Sequence, residues 1–214
     1  MGKIKNSQYI SFIVVILVIS FIVNVFLSLD NGDYKERIGK KSSDELEDII
    51  HSNETIKDIL TNSIQSKCIL KTDLVKIASQ YDQLYLSVWG LMDDYSYYKT
   101  SKKLLLKDDG NINYDVTNDT VSKIKLYMNK FVESNISLSG DKIELKTNDL
   151  LNFQKMNDFS KEIDSYFKDT IKKDSSDGTY DGMKDKLEVK NYWIDMLNNI
   201  FNISNKYSNF EFKA

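Results

Sequence analysis

The chain has 214 residues, a formal net charge of −3 at pH 7 from 29 Lys plus Arg against 32 Asp plus Glu, one His, one Cys and no Pro. A pI near 5.3, with lysines interleaved among acids, argues against a nucleic-acid partner, because duplex binding draws on clustered cations. Cys68 alone excludes an intramolecular disulfide framework, and zinc sites built from Cys and His are excluded by count unless carboxylates supply the remaining ligands.

Residues 1–8 form a short basic tail carrying Lys3 and Lys5. Residues 9–29, "YISFIVVILVISFIVNVFLSL", hold no charge and only four polar interruptions, Ser11, Ser20, Asn24 and Ser28. As a helix rising ~1.5 Å per residue the run is about 30 Å long, the thickness of a bilayer's hydrocarbon core. A cleaved signal peptide has a shorter apolar region and a small-x-small exit, whereas this exit reads "FLSLDNG". The run therefore reads as an uncleaved transmembrane anchor. With the basic tail kept inside, everything after the anchor is expected outside the cell membrane, although Lys35, Arg37, Lys40 and Lys41 on the far flank oppose that assignment.

Residues 30–42 read as a stalk, because Asn31-Gly32 and Gly39 disfavour helix and no apolar stripe is present. From residue 43 to 214 the pattern predicts a mainly α domain: an up-down bundle of four to five helices, with one or two small β-hairpins between them. The first helix opens at Ser43-Asp44-Glu45, suited to the positive end of a helix start, and carries Leu46, Ile49, Ile50, Ile56, Ile59, Leu60 and Ile64 on one broad stripe. The second has the clearest seam: Leu74, Ile77, Tyr81, Leu84, Val88, Leu91, Tyr95 and Tyr98 recur at spacings of three and four. The third carries Val121, Ile124, Met128 and Phe131, and the fourth Phe153, Met156, Phe159, Ile163, Tyr166 and Phe167. A fifth follows Gly182, with Val189, Trp193, Met196, Ile200, Ile203 and Tyr207. Alternating apolar residues in "LLLKDDGNINYDV" and "NISLSGDKIEL" predict the two hairpins.

Chemistry-bearing constellations are few. His51 has no partnered nucleophile in the sequence, and no phosphate-loop, dinucleotide or nucleophile-elbow motif occurs, so no enzyme is expected. Tyr85, Trp89 and Asp93 lie four residues apart on one helix edge, and rings beside a carboxylate suit a sugar ring or a cationic peptide. "DGTYDGMKDKLE", Asp177 to Glu188, resembles an EF-hand calcium loop. That likeness covers only these twelve residues and implies a ligand set of Asp177, Thr179, Asp181 and Glu188 around the sharp-turn glycine Gly182. It departs from the pattern with Thr at position three and Lys184 at position eight, and the same residues also read as a polar inter-helix turn.

A single Arg, few Ala and abundant Lys, Asn, Ile and Tyr are the usage of an AT-rich, bacterial genome. The expected protein is thus a single-pass, extracytoplasmic helical bundle of the cell envelope, a non-catalytic interaction, sensor-like or scaffold module. Its expected partners are the membrane, through residues 9–29, and a protein or a second copy of itself. The alternatives are a ligand-binding module for cell-wall glycan or peptide, and a calcium-stabilised envelope protein.

Overall fold

The computed structural model describes residues 2–103 and 120–213. The elements in chain order are α1 (Gly2–Ser66), β1 (Cys68–Leu70), α2 (Lys71–Lys103), α3 (Thr120–Asn135), β2 (Lys142–Glu144), α4 (Thr147–Asp174), a 3-10 turn (Asp181–Met183), α5 (Lys184–Lys190) and α6 (Tyr192–Tyr207). The chain is mainly α, as the periodicity predicts. Its helices alternate in direction: Gln83 meets Asp48 while Asp94 meets Ser42 across α1 and α2, and Lys206 meets Glu162 while Tyr192 meets Asp174 across α4 and α6.

The expected stalk is not a break. α1 continues unbroken through residues 30–42, joining the apolar run to the first bundle helix as one element of 65 residues. A single glycine costs a helix only ~1 kcal/mol, less than cooperative propagation and packing return, and the chain has no proline to interrupt the backbone ladder. Packing already begins inside the segment, where Ile38 and Ser42 are buried. Gly39 is a contact point: a Cβ there would collide with the carbonyl oxygen and Cα of Glu188 on α5. Next to it, the Tyr180 hydroxyl donates to the Ser43 carbonyl at 2.5 Å, and Lys184 lies 3.6 Å from Glu47. The loop after α4 and α5 together form a collar around α1 where it enters the bundle.

All eight residues of the α2 seam are buried, together with Leu46, Ile49, Ile56 and Leu60 of α1, Ile124 and Met128 of α3, Phe153 and Phe159 of α4 and Trp193 and Met196 of α6. Polar pairs cross this core. Asn53 Nδ2 donates to the Ser160 carbonyl at 2.9 Å, and the Ser160 hydroxyl returns a bond to Asn53 Oδ1 at 2.8 Å. Thr120 and Ser204 are tied by two further bonds, from the Thr120 backbone N–H to Ser204 Oγ and from the Thr120 hydroxyl to the Ser204 carbonyl.

Two local expectations change. "NISLSGDKIEL" is not a hairpin: its second half is β2, which pairs antiparallel with β1 in the α1–α2 connection, Ile69 opposite Ile143. Ile143 and Leu145 are buried whereas Ile136 and Leu138 are exposed, so the alternating apolar face of the first half has no core to cover and forms a turn instead. The fifth helix is split at Asn191, whose left-handed φ of 57° ends α5 and begins α6. Asparagine tolerates that conformation, and its amide donates to the Tyr98 hydroxyl at 3.1 Å. The other expected hairpin, "LLLKDDGNINYDV", lies outside the described residues.

The close approach at Gly39 gives a direct test. Gly39→Ala is expected to destabilise the bundle by about 1–3 kcal/mol through overpacking against the α5 backbone. Gly32→Ala, with nothing within 4 Å of the added carbon, is expected to leave stability unchanged or to raise it by up to ~1 kcal/mol. Thermal unfolding of the two variants in detergent measures both, and equal effects would contradict the packing assigned to Gly39.

Candidate functional site

The seam of α2 points into the core, so the opposite edge of the same helix is what α2 offers to the outside. Tyr85, Trp89 and Asp93 divide between these environments. Tyr85 is half-buried and packs against the core, with the Lys125 ammonium of α3 4.3 Å above its ring and also 3.2 Å from Asp82. Its face is therefore already covered by a cation. Trp89 remains 44% exposed, and Asp93 is exposed one turn further on. The structure thus keeps Trp89 and Asp93 on one outward strip and turns Tyr85 aside. Leu86, one turn before Trp89 and 58% exposed, joins that strip and was not singled out by the sequence. The available signal was an apolar residue off the core seam, two positions after Leu84 and one turn before Trp89.

Gly90, beside Trp89, lets α1 come close. A Cβ at this position would lie 2.5 Å from Glu45 Oε1, so the missing side chain makes room for the Glu45 carboxyl. Burial pushes the Glu45 carboxyl above its usual range, while a hydrogen bond from Ser87 and the charge of Lys41 pull it down. Lys41 itself donates to the buried Asp94 at 2.6 Å, and the Ser42 hydroxyl donates to the other Asp94 oxygen at 3.2 Å. Asp93 also faces Lys41, and Asp48, tied to Gln83 at 3.0 Å, lies near Glu45. Carboxylates outnumber cations here, and they border an exposed indole.

The resemblance to a calcium loop places its residues differently. Asp177 Oδ1 accepts from the Thr179 hydroxyl at 2.7 Å, the Thr179 backbone N–H at 2.9 Å and the Ser175 hydroxyl at 2.9 Å. These bonds, the Thr179 hydroxyl first, hold the Asp177 carboxyl below its usual range. The Gly182 carbonyl accepts from Ser176, and a Cβ at residue 182 would collide with Asp177 Oδ1, which explains the glycine without a metal. Asp181 is paired with Lys184 at 2.8 Å, and Glu188 lies on α5 with its backbone against Gly39. Asp177 and Thr179 are brought together. Among the described residues no group of three or more His, Cys, Asp or Glu side chains is gathered so as to hold a metal ion.

No protein-family model, curated protein or solved structure matches the chain, so the site stands on its own geometry.

Glu45 gives this junction a pH signature. A carboxyl whose folded pKa exceeds its ordinary value of 4.5 binds its proton more tightly in the folded state, so stability falls as pH rises from that value through the raised one. Glu45→Gln removes the ionisation. The variant is expected to unfold at a higher temperature than the parent at pH 7, with the difference vanishing below about pH 4. A variant less stable than the parent at pH 7 would contradict the dominance of burial at Glu45.

Proposed function

We propose that this protein is a single-pass membrane-anchored helical bundle of a bacterial cell envelope, with the bundle outside and acting without catalysis as an interaction module. The observation that carries this reading is α1 itself. The segment Tyr9–Ser28 is long and apolar enough to cross a membrane, none of it is buried by the rest of the chain, and the same helix then becomes the strut of the bundle core. An apolar core helix of a soluble domain would be covered by its neighbours, whereas this segment leaves Phe12, Leu17, Phe21 and Phe26 uncovered. In lipid that exposure carries no cost, and a helix satisfies all its own backbone groups there. The outward placement rests on Lys3 and Lys5 just before the span and on the ability of long domains to translocate regardless of flanking charge.

The non-catalytic part of the reading is supported by how polar side chains are used. Asp164 is buried enough to be pushed upward, yet bonds from Lys168 and Lys57 hold it below its usual range. Glu162 is lowered by Lys206 and Tyr207, and Asp174 by Tyr192 and Lys186. Each of these carboxylates ties chain segments together. A second reading, a module for cell-wall glycan or peptide, is favoured by the exposed Trp89 beside Asp93.

Alkaline extraction tests the anchor. The full chain is expected to stay in the membrane pellet, and a chain lacking residues 1–29 in the supernatant. In intact cells, a Cys68→Ser, Ser176→Cys chain is expected to react with a membrane-impermeant maleimide. Release of the full chain by carbonate would sink the anchor, and labelling only after lysis would reverse the orientation.

A further inference from the structure

Beyond α6 the chain becomes a strap laid across α3 and α4. Glu162 pins its root by accepting from Lys206 and Tyr207, and residues 208–213 then continue without helix or strand. An aromatic ladder ties the strap to the core: ring centroids lie 4.8 Å apart for Phe210 and Phe212, 6.1 Å for Phe212 and Tyr127, 5.7 Å for Tyr127 and Phe131 and 5.6 Å for Phe131 and Phe153. The three inner rings are buried, whereas the two strap rings are only half-buried. Phe210 and Phe212 stand two residues apart, the spacing that puts both rings on one side of an extended chain.

The groove also recognises main chain. Asn152, buried on α4, donates its amide to the Lys213 carbonyl at 2.8 Å, and the Lys123 ammonium of α3 donates to the Ser208 carbonyl at 2.6 Å. A buried amide is costly unless a carbonyl meets it, so Asn152 marks a position made for a passing backbone. The two bonds clamp the ends of a six-residue segment. Little else holds it, because among the described residues the strap shares no backbone hydrogen bond with α3 or α4. Its own backbone bonds, from Ser208 and Phe210 to the Asn205 and Tyr207 carbonyls, are local. Leaving the groove therefore breaks no helix and no sheet.

Clefts open on both sides of the strap. One of about 370 Å³ is bordered by Lys123, Leu126 and Lys130, and another of about 570 Å³ by Asn135, Leu138 and Lys146 beyond Lys213. Both are of a size that ligands fill. The lysines of the first cleft favour an acidic residue between two rings, where the strap itself has Glu211, and a segment longer than the strap would enter the second.

We infer that the α3–α4 groove is a binding site for an extended peptide segment of a partner protein, with aromatic residues two apart around an acid, and that the chain's own tail is its displaceable occupant. This rests on the interaction-module reading above and adds its site and the chemistry of its ligand. A short tether holds the tail at an effective concentration of order millimolar, so the groove stays closed until a segment with more contacts competes.

The full chain is tested in detergent, where peptide binding is read independently of lipid. The probe is a fluorescent, C-terminally amidated peptide copying residues 208–213, and its control has serine in place of both phenylalanines. Phe210→Ser with Phe212→Ser frees the groove. That variant is expected to bind the probe saturably and at least tenfold more tightly than the parent does, and to ignore the control. Adding Asn152→Leu, close in volume, is expected to weaken its binding about tenfold. Circular dichroism checks that each variant keeps its helix content. A second measurement needs no freed groove: Cys68→Ser, Asn209→Cys, labelled at its exposed position with an environment-sensitive dye, is expected to change emission when probe at millimolar concentration displaces the strap, and not with the control. Lack of saturable binding to a helical freed variant, equal affinity of the parent, equal binding of the control, indifference to Asn152→Leu or a silent dye would each overturn the site. A chain that fails these tests yet enters lipid nanodiscs loses the peptide groove and keeps its anchor.

Discussion

One continuous helix joins an uncovered apolar segment to the core of the bundle, and that constraint organises the rest of the structure. In α1 the backbone ladder runs without interruption from the apolar segment Tyr9–Ser28 to Ser66. Its first part shows bare hydrocarbon on every side, and its later part shows a stripe that α2, α4 and α5 cover. Helical hydrogen bonds are internal, so the same backbone is satisfied in either solvent, and only the side chains need to change character along the way. In the proposed arrangement any tilt or displacement of the segment in lipid is carried directly into the bundle, because no flexible residue pair lies between them to absorb it.

The bundle grips this helix where it arrives. Gly39 allows the α5 backbone to touch α1, Tyr180 closes on the Ser43 carbonyl, and Lys184 joins Asp181 to Glu47. α5 is itself held in place by Lys186 and Asp174, and the left-handed Asn191 redirects the chain into α6. Further from the apolar segment, the Asn53–Ser160 pair fixes α1 against α4 inside an otherwise apolar core. A buried reciprocal pair of this kind costs a large penalty if either helix slips by a residue, since both groups would lose their partners. The collar and the buried pair therefore set the register of α1 at two heights.

Much of this was legible in the sequence because hydrophobic spacing reports which side of a helix meets a core. The α2 seam from Leu74 to Tyr98 is buried along its whole length, and the Phe and Met residues of α3 and α4 behave likewise. What was not legible depends on contacts distant in sequence. Gly39 reads as a helix breaker until Glu188 is seen beside it. Asn191 leaves no mark on a pattern whose four-residue step from Val189 to Trp193 continues across the break. The strand at Lys142–Glu144 is visible as alternation, but its partner at Cys68–Leu70 lies across the α1–α2 connection. At the candidate site, Trp89 and Asp93 stood out by residue type, whereas Lys125 covering Tyr85 and Glu45 filling the space at Gly90 come from neighbouring helices.

The central claim is that the apolar segment and the bundle share one continuous helix. Spin labels at Ser28 and Glu54, both exposed on α1, in a Cys68→Ser background in nanodiscs measure it directly by pulsed electron resonance. Twenty-six helical steps of ~1.5 Å predict a backbone separation of about 39 Å and a single narrow distribution. A broad distribution centred well below that distance would mean that the chain bends or unwinds between the two positions, and the account would fail at its base.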